Sequence, residues 1–275
     1  MIDIQNLNDD RKVEIQKVGI KNIRYPITVL DKANGYQNVL ASINIYVNLP
    51  HHFKGAHMSR FVEVLHEHRD QINLQNFDKI LEDLRNKLNA ESAHLQVSFP
   101  YFIEKGAPIT GAKGLMEYTC EFSGSFSQAT RDFYVGITAP VTTLCPCSKE
   151  ISDRGSHNQR GLILVKLWYK KFFWIEDIIA LIEDSASCDV YAILKRPDEK
   201  YVTEKAYDNP MFVEDVVRSV ALKLDAHPNI SGYSVEAETM ESIHNHSAYA
   251  YVEKPSTPVL QGLESMAQAE VKGQL

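Results

Sequence analysis

Neither a G-x-x-x-x-G-K-[ST] phosphate loop nor a G-x-G-x-x-G turn occurs in the 275 residues, so a bound nucleotide would need another device to hold its phosphates. Glycine and proline are sparse, at 13 and 11, which excludes collagen-like and low-complexity chains. Cations are in deficit: 29 Lys and Arg against 36 Asp and Glu leave a net charge of −7, too little positive surface for a nucleic-acid coat protein. No apolar run approaches the length of a membrane span, and Met1-Ile2-Asp3-Ile4-Gln5 has neither a basic nor an apolar leader region. The expectation is a cytoplasmic protein with no membrane partner. Four cysteines (Cys120, Cys145, Cys147, Cys188) are too few for a disulfide scaffold, and a bridge between Cys145 and Cys147 would be strained.

What is present is a folded α+β pattern. Val39, Ala41, Ile43, Ile45 and Val47 alternate along a strand; Met58 to Arg69 and Phe77 to Leu88 follow as helices, and His94–Phe102, Met116–Phe126 and Arg131–Thr138 as strands. The second half repeats the order, with strands at Gly161–Tyr169, Tyr233–Met240 and Ser247–Glu253 and helices at Trp174–Asp184 and Pro210–Asp225. The last helix is expected to be capped by Asn209. This predicts a duplicated module with its helices on one face of an antiparallel sheet. The expected division is an N-terminal segment 1–12, modules at 13–150 and 151–254, and a tail 255–275.

Three groups of residues have chemical potential. Leu144-Cys145-Pro146-Cys147-Ser148-Lys149-Glu150 and Gly155-Ser156-His157-Asn158-Gln159-Arg160 form a polar loop between strands, where a thiolate and an imidazole suit a divalent transition ion. Buried, inert thiols are the alternative for so short a motif. Lys149, Arg154 and Arg160 add the local cations that fit an anionic small molecule. His244 and His246, two residues apart between the last strands, would point to one side as metal ligands or as acid and base, or else lie in a surface turn. Glu199 and Glu214 are the carboxylates of interest. Glu214 could accept two N–H bonds from a guanine edge, or simply favour the positive end of its helix. His66 and His68 read as a solvated helix face, and His51 and His52 as loop residues.

Together with Asn209-Pro210-Met211-Phe212-Val213-Glu214-Asp215 and Glu241-Ser242-Ile243-His244-Asn245-His246-Ser247-Ala248, these motifs resemble the prokaryotic type IB GTP cyclohydrolase family over nearly the whole chain. The resemblance implies a tunnelling fold whose ββααββ modules assemble into a barrel, with active sites at the subunit interfaces of a homotetramer. It implies conversion of GTP and water to 7,8-dihydroneopterin triphosphate and formate, leading to folate-type pterins and to deazapurine-modified tRNA. By position it implies Cys145, His157, Glu199 and His244 as ligands of Mn²⁺, Zn²⁺ or Fe²⁺. Cys145, His157 and His244 would be catalytic, Glu214 the guanine anchor, and Lys149 and Arg160 the triphosphate contacts. The competing expectations are an NADPH-dependent nitrile reductase of the same fold, which needs no metal, and a non-catalytic purine or pterin binder.

Overall fold

The structure is a computed structural model that describes residues 4–5, 7–69, 72–73, 76–127 and 130–256. Most of the expected tail at 255–275 therefore lies outside the described residues. Two compact units are formed, one from Met1–Ile103 with Glu117–Gly136 and the other from Glu104–Met116 with Ile137–Leu275. Strands β3 (Ser92–Gly106), β4 (Lys113–Ser127) and β5 (Arg131–Leu144) are long enough to contribute to both.

The first unit adds β1 (Ile15–Asp31), β2 (Gly35–Leu49), α1 (Met58–His68) and α2 (Phe77–Lys87). Its sheet order is β1-β2-β3-β4-β5, and β1/β2 and β2/β3 pair antiparallel. Alternation decides which side faces the core: Ala41, Ile43, Ile45 and Val47 of β2 and Ala93, Leu95, Val97 and Phe99 of β3 are buried. The helices cover that side. Phe77 of α2 meets Phe122 of β4 edge to face at 6.3 Å, and Phe122 meets Phe99 at 5.0 Å.

α1 buries Phe61, Val64, Leu65 and His68 at helical spacing. His68 thus departs from the expected solvated face. It lies one turn beyond Val64 on the apolar stripe, and its Nε2 is 2.8 Å from the Asp83 carboxylate of α2, a partner that makes its burial tolerable.

β1 is a 17-residue strand that the periodicity did not predict. Register shifts between Ile15/Val18 and Ile20/Ile23, with Asn22 at φ 58°, break the two-residue alternation on which such a prediction depends. Between the shifts, Gly19 pairs with Tyr46, and a Cβ there would collide with the Ile45 carbonyl, a backbone atom that cannot turn aside. Gly19→Ala is expected to destabilise the protein by roughly 1–3 kcal/mol or more, read as a lowered melting temperature; an unchanged melting temperature would show that β1 is not held this closely.

The second unit contains α3 (Pro146–Ile151), β6 (Asn158–Tyr169), α4 (Ile175–Glu183), β7 (Cys188–Asp189), α5 (Arg196–Asp208), α6 (Val213–Asp225), β8 (Ile230–Met240) and β9 (Ser247–Lys254). Its sheet runs β5-β6-β8-β9, with β7 on β5. The order β5-β6-α4-α6-β8-β9 reproduces β1-β2-α1-α2-β3-β4, with α3, β7 and α5 inserted. α6 buries Val213, Val216, Val217, Val220 and Leu224 and lies on β8 and β9.

Helix α6 starts at Val213, three residues later than expected. Asn209 instead ends α5, and its amide donates to the Ala186 carbonyl at 3.0 Å, so it is not available as a cap. The N-terminal bond of α6 is made by Asp215, whose carboxylate accepts the Phe212 N–H at 3.1 Å.

Candidate active site

Every residue expected at the site falls in the second unit. β5 ends at Leu144, where its N–H donates to Ser187 Oγ at 3.1 Å and its carbonyl accepts the Met211 N–H at 3.0 Å. Leu144 also packs with Cys188, Ala206 and Val202, which seats α5 beside the strand end. The chain then turns into α3 with Cys145 as the N-cap residue, its Sγ accepting the Ser148 N–H at 3.4 Å. The loop closes on itself. Cys145 N–H donates to the His157 carbonyl at 3.1 Å, Ser156 Oγ to the Cys145 carbonyl at 2.7 Å, and His157 N–H to Ser148 Oγ at 3.3 Å. Cys145 is a free, half-buried thiol, whereas Cys147 is exposed.

His157 precedes β6, and the pairing Gly161↔Thr239 brings the end of β8 alongside. Continued by two residues, this register sets Gln159 opposite Glu241. The His157 Nδ1 is 3.0 Å from Gln159 Oε1 and 4.0 Å from Glu241 Oε2, and both the imidazole and the carboxylate are largely buried, at 14% and 11% side-chain exposure. An amide oxygen can only accept, so Nδ1 carries the proton. Nε2 has no hydrogen-bond partner among the described residues and, in the neutral ring, carries the lone pair. That is the state of an imidazole prepared to ligate a metal or take up a proton. Glu241 is itself fixed by Thr239 Oγ1 at 3.2 Å. Its relation to His157 exists only through the β6/β8 pairing, which the local motif around His244 does not encode.

The remaining expected residues are placed differently. Glu199 and Glu214 are exposed in the first turns of α5 and α6, and neither carboxylate has a partner among the described residues. His244 is exposed in the connection between β8 and β9, outside both strands, with its ring stacked on His246 at 5.3 Å and 19°. Arg160 and Arg154 are exposed, with side chains unpaired among the described residues. Lys149 is occupied: its Nζ donates to the Tyr207 carbonyl at 2.5 Å and lies 4.3 Å from the Tyr207 ring centroid. Among the described residues, no three His, Cys, Asp or Glu side chains converge closely enough to hold a metal ion. The residues that one chain joins through this loop, Cys145 with a thiol and His157 with an imidazole whose Nε2 is unpartnered among the described residues, match in kind the soft and borderline ligands of a divalent transition metal.

α5 is polar on most sides, so tethers add to the small apolar contact of Val202 and Ala206 in holding it. At its start, buried Asp198 accepts hydrogen bonds from Ile109 N–H at 2.8 Å, Thr110 N–H at 2.9 Å, Thr110 Oγ1 at 2.6 Å and Lys195 N–H at 2.9 Å. Burial acts to raise this carboxyl, but the hydrogen bonds led by Thr110 outweigh it and hold it well below the usual carboxylate range. Farther along, Lys205 meets Asp189 at 3.0 Å, and Lys105 meets both Asp189 at 3.0 Å and Glu183 at 2.7 Å. Burial would raise Asp189 too, and the two lysines reverse the direction.

Because the folded-state pKa of Asp198 is depressed, its stabilisation is complete above the ordinary value of roughly 3.9 and is lost as pH falls below it. Asp198→Asn should therefore melt several degrees below the parent at pH 7, and the gap should narrow below about pH 4. A gap independent of pH would show that the ionised form is not what holds α5.

The family model described as type I GTP cyclohydrolase folE2 matches residues 1–250. The chain is 66% identical to the GTP cyclohydrolase FolE2 of Syntrophus aciditrophicus (strain SB), across 92% of this chain and 100% of that one. It is 57% identical to that of Geobacter metallireducens, across 92% and 97%. Among solved structures, a uricase from Bacillus fastidious aligns with a TM-score of 0.52 at 8% identity, across 87% and 92%, a likeness of fold alone.

Proposed function

The chain belongs to the type I GTP cyclohydrolase folE2 family and is a GTP cyclohydrolase, and from that premise we propose which of its residues carry the reaction. Cys145, His157, Glu199 and His244 form a divalent-metal centre, Glu214 reads the guanine, and Arg160 meets the triphosphate. The observation that carries this reading is the joining of Cys145 and His157 by the Cys145 N–H bond, with Nε2 left open while Nδ1 faces Gln159 and Glu241. The ligand set is completed across subunit boundaries in a homotetramer. In support, Glu199, Glu214 and His244 stand exposed in the single chain, as residues that serve a neighbouring copy would.

The reaction needs water added at C8 of guanine, cleavage of the C8–N9 bond, release of formate and reclosure with the ribose carbons. A bound divalent ion lowers the pKa of its water so that hydroxide is available near neutral pH. The protein must do the rest. His157, with Nδ1 committed, offers Nε2 alone, and Glu241 stabilises any positive charge on the ring. His244, exposed in the β8–β9 connection, moves protons to the nitrogen that departs and the oxygens that form in the steps in which its imidazole is off the metal. Glu214 holds the guanine edge so that C8 stays in place through successive steps.

The deciding experiment is formate release from GTP by chelator-stripped protein, with Mn²⁺, Zn²⁺ or Fe²⁺ restored separately and pterin fluorescence followed after oxidation. Metal-dependent formate in step with pterin is expected. Equal activity in the stripped and restored protein would remove the metal from the site.

A further inference from the structure

α3 carries Cys145 at its N-cap but buries none of its six residues, so packing does not decide where the thiol sits. The hydrogen bonds of Cys145, Ser148, Ser156 and His157 hold the loop only to itself. Among the described residues, Lys149 makes the one hydrogen bond from an α3 side chain to an element beyond that loop. It reaches 58 residues along the chain to the Tyr207 carbonyl, 2.5 Å from Nζ, with the Tyr207 ring centroid at 4.3 Å. Tyr207 lies in the last turn of α5, where carbonyls lack helical donors and the helix end attracts a cation. An ammonium seated on both a carbonyl and an aromatic face is held in place there, whatever its remaining donors meet. Arg154 and Arg160, exposed and unpaired among the described residues, are the cations left free for an anion.

We propose that Lys149 is a positioning residue: it fastens α3, and with it the Cys145 thiol, to the C-terminal end of the helix that bears Glu199, instead of neutralising the triphosphate. The role rests on the reading of Cys145 and Glu199 as metal ligands. It predicts that Lys149 governs metal affinity more than affinity for GTP.

The test uses the full chain with Lys149→Met, which keeps the apolar stem, and Lys149→Arg, which can stack on a ring and donate to a carbonyl. Mn²⁺ is titrated into chelator-stripped protein, and kcat and KM for GTP are measured at saturating Mn²⁺. Lys149→Met is expected to raise the Mn²⁺ Kd on the order of tenfold while KM for GTP stays within about twofold, as for other residues that orient a metal ligand. Lys149→Arg recovers most of the loss. Tyr207→Leu, which removes the ring but keeps the lysine, should reproduce part of it and carries the test if Lys149→Met does not fold. An unchanged Mn²⁺ Kd overturns the proposal, and a concurrent rise in KM for GTP would give the lysine to the phosphates. If the parent protein binds Mn²⁺ but releases no formate from GTP, the cyclohydrolase assignment of the site fails, while the Mn²⁺ comparison still reports on the tie.

Discussion

Replacing Cys145 with alanine is expected to lower formate release from GTP by about a thousandfold or more and to weaken Mn²⁺ binding, with little change in melting temperature. The expectation of an intact fold follows from the surroundings: the thiol is half-buried and accepts one weak bond, from Ser148 N–H at 3.4 Å. The loss of rate follows from the proposed metal centre, whose charge stabilisation would be worth several kcal/mol, and about 4 kcal/mol is a thousandfold. Cys145 also caps α3, and Cys145→Ser separates the two roles. A hydroxyl is the better cap but a poorer soft-metal ligand. If serine restores activity, the residue acts as a cap; if serine fails like alanine, it acts through its sulfur. Full activity in Cys145→Ala with metal still bound would take the residue out of the mechanism.

Glu214→Gln should reduce kcat/KM for GTP by about a hundredfold, mostly through KM, and leave the Mn²⁺ Kd unchanged. Guanine presents two donors side by side, N1–H and the 2-amino group, and one carboxylate accepts from both. Glutamine keeps one acceptor and turns an NH₂ toward a donor, so the loss of a charge-assisted bond is about 3 kcal/mol, or roughly a hundredfold. The discriminating readout is inosine triphosphate, which lacks the 2-amino group. The parent should prefer GTP strongly and the variant should lose most of that preference. Unaltered discrimination would leave Glu214 as an exposed acid at a helix start, favourable to the helix dipole and to nothing else.

The elements that were legible in the sequence are those with one apolar and one polar side. β2 and β3 alternate, and α2 and α6 carry apolar residues at helical spacing, because each buries a single face. The elements without a face were not legible. α5 buries only Asp198 and Ala206, so no stripe marks it, and β1 loses its alternation at two register shifts. His68 is readable one turn past Val64, but its type suggests solvent, and only the tertiary contact with Asp83 makes its burial intelligible. At the site, the reactive residue types were evident in sequence, whereas their connections were not. Glu241 reaches His157 through strand register, and Lys149 reaches Tyr207 through tertiary packing, neither of which a local motif encodes.

The tethers around α5 have a consequence for how the protein matures. Asp198 joins Ile109 and Thr110 across 89 and 88 residues, Lys149 joins Tyr207 across 58, and Leu144 joins Ser187 across 43. Contacts of such long sequence separation repay their loop-closure entropy only after the intervening chain is in place. The hairpins and amphipathic helices can form early from neighbouring residues, while the loop of Cys145 and His157 and helix α5 are expected to find their places last. A nascent chain can therefore hold most of its secondary structure while the ligands of the proposed metal centre are still apart, and on that proposal competence to bind an ion becomes the late marker of completed folding.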